Sequence, residues 1–272
     1  MRRPSFLAHL IVSVKRHWPN YIAEAAGLFL FLFMAGLITT AVNHPGWWLA
    51  RQLAGREVLG RAVIGLVAGL TVVVIVYSPW GKRSGAHLNP AVTLAFWQLG
   101  KIRTADACWY LVAQVIGALL GGQALLALLG SSFAHPKVDY ALTLPGPQGA
   151  AVAFGAEFII TFGMIAVLFL ALHTKQLENL AGWLLGGLLA IYIVVEAPYS
   201  GMSLNPARSL GSAAVAHNFT DFWVYLVAPM LAAWLAAVLF QRLFRESPLS
   251  DCIIAGPDSS VITTEPPQHP VE

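Results

Sequence analysis

The chain has 272 residues, of which 57% are hydrophobic and only 11% charged, with a formal net charge of +3. This balance excludes a water-soluble enzyme folded round a single core and places the chain in a lipid bilayer. So small a positive excess gives no reason to expect a nucleic-acid partner; it is better explained by where the charges sit.

A helix crossing about 30 Å of hydrocarbon needs about 20 mostly apolar residues, and six runs qualify: 21–42, 58–77, 106–129, 150–173, 179–197 and 222–244. Residues 1–19 are expected to form a cytoplasmic N-terminus. The first run is too long for the apolar region of a signal peptide and no clear small-residue cleavage site follows it, so it is expected to remain as a helix. With both termini in the cytoplasm, Arg2, Arg3, Lys15, Arg16, Lys82, Arg83, Lys101, Arg103, Lys175, Arg242 and Arg245 lie inside, whereas Arg51, Arg56, Arg61 and Lys137 lie outside. Eleven against four is the bias of the positive-inside rule, so the basic balance encodes orientation. Cys108 and Cys252 have no ligand spacing, and no metal, cofactor or disulfide framework is expected. The proline-rich segment 246–272 reads as a disordered cytoplasmic tail, leaving 20–245 as the membrane domain.

The chain repeats itself. "YIAEAAGLFLF" in the first run and "FGAEFIITFGM" in the fourth both carry Ala-Glu early, at Glu24 and Glu157. After the second run comes "HLNPAV", after the fifth "SLNPAR". The order of features in 21–129 thus recurs in 150–244, and three crossings per half insert the second copy upside down. Asn is a preferred helix N-cap and Pro a preferred first helical residue, so Asn89-Pro90-Ala91 and Asn205-Pro206-Ala207 both describe abrupt helix starts. Roughly ten residues follow each box before Gly100 or Asn218, enough for half the hydrocarbon at 1.5 Å per residue. These are half-helices whose N-termini meet near the midplane. Irregular backbone at that depth must be buried in protein or line a watery cavity. A single Asn-Pro would read as a turn; two copies, at 89 and 205, each in the same place after its half's second span, do not. Gly65/Gly69, Gly117/Gly121 and Gly182/Gly186 are small-residue pairs at helical spacing, expected at close helix contacts.

Residues 20–245, with their paired Asn-Pro-Ala boxes and Arg208 directly after the second, resemble the aquaporins and aquaglyceroporins of the major intrinsic protein family. The resemblance implies an all-α membrane protein of six transmembrane helices plus two re-entrant half-helices, arranged as an inverted repeat around one pore per subunit. It also implies a homotetramer, in the plasma membrane, and no enzymatic activity. Glu24 and Glu157 match the carboxylates that hold the re-entrant loops in the family, and His87 matches a residue of the cytoplasmic pore mouth. The implied function is a passive channel for water and small neutral solutes that excludes ions and protons. Asn89 and Asn205 would offer donors at its midpoint, and the two positive helix ends would repel cations there. Arg208 facing lipid would cost about 2.5–3.5 kcal/mol or more, so it is expected to line the pore.

The family's narrowest point maps onto Arg208, Ile193, Met202 and Ala68, with Gly69 as the alternative to Ala68. Water-selective members typically carry Phe and His at the second- and fifth-helix positions, where this chain has Ala and Ile; the constriction is therefore expected to be less polar. Ser209, Ala213 and Phe222-Trp223 resemble water channels. The Ala/Ile pair resembles members that pass boric acid or similar metalloid acids, so glycerol and such acids stand as alternative solutes. The alternative of another class is a coupled secondary transporter, which would need an ionisable site at the midplane.

Overall fold

The computed structural model describes residues 6–244. The tail expected beyond residue 245 lies outside the described residues. Among the described residues six helices are long and apolar enough to span a membrane: α1 (Phe6–Asn43), α3 (Glu57–Tyr77), α6 (Thr104–Leu129), α7 (Ala150–His173), α8 (Ala181–Val195, which a 3-10 turn extends back to Glu178) and α11 (Phe222–Leu243). Between them stand α2 (Trp48–Gln52), α4 (Pro79–Ser84), α5 (Pro90–Gln98), α9 (Ala197–Ser200) and α10 (Pro206–Ala216). No strand occurs among the described residues.

The second, fourth and sixth spans match their expected limits within a residue or so. The first does not: α1 begins at Phe6, well before residue 21, and runs through Pro19. Hydropathy stops at the Lys15-Arg16-His17 cluster, but the helix continues because that turn has a partner. His17 Nδ1 lies 2.8 Å from Asp106 Oδ1 of α6, Tyr21 donates to the same oxygen at 2.5 Å, and Trp109 Nε1 donates to the Leu10 carbonyl. The buried side of this segment is polar (Ser13, His17, Asn20) while Leu7, Ile11 and Trp18 are exposed.

The outer surface of the bundle is apolar on other spans as well. Leu66, Leu70 and Val74 form an exposed apolar stripe on α3, and Leu226, Val227, Leu231 and Trp234 do so on α11. In water such faces would drive association; in lipid they are the solvated surface. Between helices small residues allow close approach. A Cβ on Gly186 would lie 2.5 Å from the Gly69 carbonyl oxygen, and Gly69 meets the Gly186 carbonyl in return, which locks α3 against α8.

The packing is two-fold. α1 packs on α6 and α3, as α7 packs on α11 and α8; the half-helix of each half lies against the third span of the other, α5 on α11 and α10 on α6. Gly211 makes the last contact close, since a Cβ there would fall 2.7 Å from the Ala118 carbonyl oxygen. This crossing of half-helices between halves brings both helix starts to the middle of the bundle.

Candidate functional site

Each half-helix begins as its composition dictates. Asn89 Oδ1 accepts from Ala91 N at 2.8 Å, and Asn205 Oδ1 accepts from Ala207 N and Arg208 N at 3.1 Å each, with proline in the first helical turn. The side-chain amides reach across the two-fold axis. Asn89 Nδ2 donates to the Leu204 carbonyl at 2.8 Å and Asn205 Nδ2 to the Leu88 carbonyl at 2.7 Å. One N–H of each asparagine is therefore committed to the opposite half, and one is left over.

The backbone before each box is strained in the same way. Ala86 and Leu88, then Met202 and Leu204, have positive φ between 47° and 60°, a conformation that costs a non-glycine residue about 1–2 kcal/mol. The two buried glutamates hold it there. Glu24 accepts from Ser84 Oγ (2.8 Å), His87 N (3.0 Å), Leu88 N (2.6 Å) and Gln114 Nε2 (2.8 Å). Glu157 accepts from Ser200 Oγ (2.6 Å), Ser203 N (2.7 Å) and Leu204 N (2.8 Å). Buried carboxylates without partners would be prohibitive; saturated by donors they become clamps. A tyrosine from the third span braces each turn, Tyr110 on the Ser84 carbonyl and Tyr225 on that of Ser200.

Sequence reasoning missed both serines and both tyrosines, although a signal existed. The repeat is longer than Asn-Pro-Ala: "SGAHLNPA" from Ser84 and "SGMSLNPA" from Ser200 share the serine and the glycine, and those glycines sit at φ 85° and 77°. Also missed was a hydroxyl cluster beneath Arg208, where Ser209 Oγ lies 2.7 Å from Thr143 Oγ1 and 2.5 Å from Ser203 Oγ. Glu196, which precedes the α9 turn, is buried.

Two cavities lie in series along the two-fold centre. The inner one, about 80 Å³, is lined by His87, Asn89, Val92, Leu168 and Asn205. His87 lies stacked on Phe96 with ring centroids 4.7 Å apart, and its Nδ1 is 3.1 Å from Thr93 Oγ1. The second, about 230 Å³, is lined by Ala68, Ile193, Met202 and Arg208, and a buried guanidinium nitrogen of Arg208 has no protein partner. Ala68 faces this cavity, whereas Gly69 packs on α8. Phe31, Leu189 and Ser203 line both cavities, so they adjoin. Apolar walls with a few donors at one narrow place can strip part of a solute's water and return hydrogen bonds selectively.

The model of a family described as "Major intrinsic protein" matches residues 11–240. Over 226 residues the chain is 35% identical to the probable aquaporin NIP7-1 of Arabidopsis thaliana, covering 82% of this chain and 75% of that one. It is 32% identical to nodulin-26 of Glycine max, with 85% and 80% covered. Among solved structures, the aquaglyceroporin from Plasmodium falciparum superposes with a TM-score of 0.70 at 23% identity, over 83% of this chain and 96% of that one, a likeness of fold.

Proposed function

The chain belongs to the major intrinsic protein family and is a membrane channel for water and small solutes, and we propose that its pathway runs between the two Asn-Pro-Ala boxes and past Arg208. The observation that carries this reading is the reciprocal bridge: two half-helix N-termini face each other, each asparagine tied to the opposite loop, with cavities on either side. A passing water or neutral hydroxyl solute would accept the remaining Nδ2–H of Asn89 and Asn205. Ala68, Ile193, Met202 and Arg208 form the selective constriction, Glu24 and Glu157 hold the loops, and His87 lines the other side of the boxes. The second cavity exceeds the roughly 30 Å³ share of one water, and its wall carries Arg61 and Arg208 but no aromatic ring at the Ala68 and Ile193 positions. That favours water together with glycerol- or boric-acid-sized neutral solutes. The Arg208 side faces outward, with both termini cytoplasmic, in a homotetramer of the plasma membrane; the charge bias supports the orientation.

Coupled transport is the poorer reading. It would require a carboxylate free to take up and release a cation at the midplane, and Glu24 and Glu157 are each occupied by three or more loop donors. Stopped-flow measurements on vesicles holding the purified protein, with water, glycerol, urea and boric acid in turn, test the proposal. Flux linear in the gradient and independent of ions is expected. Saturable, ion-driven flux would sink the channel pathway, and a water-only profile would sink the wider solute range.

A further inference from the structure

All four basic residues that the charge bias leaves on the Arg208 side line one cleft. Arg51, Arg56, Arg61 and Lys137 surround a cavity of about 590 Å³, with Glu57 the one acidic side chain in its wall. The cleft adjoins the Arg208 cavity, since Asn43, Arg61 and Ile64 line both. Arg61 is held at this junction, where its Nε donates to the Val194 carbonyl at 3.0 Å. Arg51, Arg56 and Lys137 are exposed.

Cations that merely orient a chain in the membrane need only lie on the proper side, and nothing in that role gathers them from three segments round one hollow. Like charges so placed repel one another, and an anion among them relieves the repulsion. Three guanidinium forks and an ammonium match the geometry of a tetrahedral oxyanion better than that of a lone chloride. The cleft opens onto the pore mouth through Asn43, Arg61 and Ile64, which favours a soluble oxyanion over a lipid headgroup. We propose that this cleft is a binding site for a divalent inorganic oxyanion of the sulfate or phosphate type, and that its occupant narrows the pore mouth on the Arg208 side. The narrowing rests on the channel pathway proposed above; the binding does not.

The test uses the full chain in vesicles of phosphatidylcholine alone, with sulfate on both faces so that orientation in the vesicle is immaterial, against chloride at equal ionic strength and osmolality. Water permeability should fall at least twofold, with a midpoint of about 1–10 mM, as expected for a few exposed charge-assisted hydrogen bonds. Replacing Arg56→Gln and Lys137→Gln together should leave permeability in chloride unchanged while raising the midpoint by about fivefold or more per charge removed, the size of a contact ion pair in bulk water. Binding of radiolabelled sulfate to the detergent-solubilised protein should weaken by the same factor. Equal permeability in sulfate and chloride, or an unshifted midpoint in the double variant, overturns the proposal. So does a block that an anionic phospholipid reproduces in the absence of sulfate, since the occupant would then be a headgroup. Absence of water flux even in chloride would refute the channel pathway instead, and the binding measurement would still decide the cleft.

Discussion

Changing Glu157→Gln tests how the strained loop before the second box is held. The carboxylate accepts three bonds of 2.6–2.8 Å, from Ser200 Oγ, Ser203 N and Leu204 N. Glutamine has the same shape but only one acceptor oxygen. It can keep the two donors on Oε1, while its amide group is turned toward the N–H of Leu204, donor against donor. Losing one bond to a charged acceptor, which contributes about 1.5–3 kcal/mol, and adding that mismatch should destabilise the loop by roughly 2–4 kcal/mol. The strain at Met202 and Leu204, about 1–2 kcal/mol each, is of comparable size. The loop should therefore relax without unfolding the bundle, and Met202 and Asn205 should move with it. The unfolding temperature in detergent should fall, and water permeability per folded channel, normalised by size-exclusion recovery, should drop several-fold. Ser200→Ala, which removes one donor, should cause a smaller loss of both. Wild-type unfolding temperature and permeability in Glu157→Gln would refute the clamp.

Further outcomes concern the constriction. Arg208→Val should assemble normally but raise proton or cation conductance, read as dissipation of an imposed pH gradient; unchanged conductance counts against a selective role. Wild-type flux should resist mercurials, because on the proposed pathway the loop position of the constriction is Met202, whose thioether forms no mercury thiolate, and Cys108 lines neither of the two cavities. Met202→Cys should create sensitivity. Met202→Gly should raise glycerol or boric acid permeability more than water permeability, and an unchanged ranking of solutes would remove Met202 from the constriction.

Much of the fold was legible because the bilayer imposes simple rules. Span lengths follow from its thickness, and two Asn-Pro-Ala boxes at equivalent places impose the inverted repeat. The extension of α1 back to Phe6 was illegible in hydropathy, since what sustains it is a long-range contact of His17 and Tyr21 with Asp106. The donors to Glu24 and Glu157 were hidden for a related reason. Six of the seven bonds come from the loops before the boxes or the serines that open them, but backbone N–H groups carry no sequence signature, and Gln114 lies on another helix. The serines could have been found by extending the repeat four residues upstream. The sequence favoured Ala68 with Gly69 as the alternative, and which of the two faces the Arg208 cavity depends on which face of α3 meets α8.

The two halves share one scaffold and differ where selection must be one-sided. Thr93 and Ser209 occupy equivalent places after the boxes, but Thr93 joins Gln114 and His87, whereas Ser209 joins Ser203 and Thr143 beneath the guanidinium. Val92, the counterpart of Arg208, leaves an apolar wall on the His87 side. On the proposed pathway a cation would thus meet Arg208 first and then two helix N-termini, with Glu24 and Glu157 taken up as acceptors for the loops behind them. A neutral solute meets donors at the same places. With one amide proton of each asparagine already committed across the axis, the remaining two would be free for a solute in the cavity that both side chains line. A water oxygen held by both would have only its own hydrogens to offer its neighbours and could accept none of theirs, so a chain of waters would be interrupted there without any moving part.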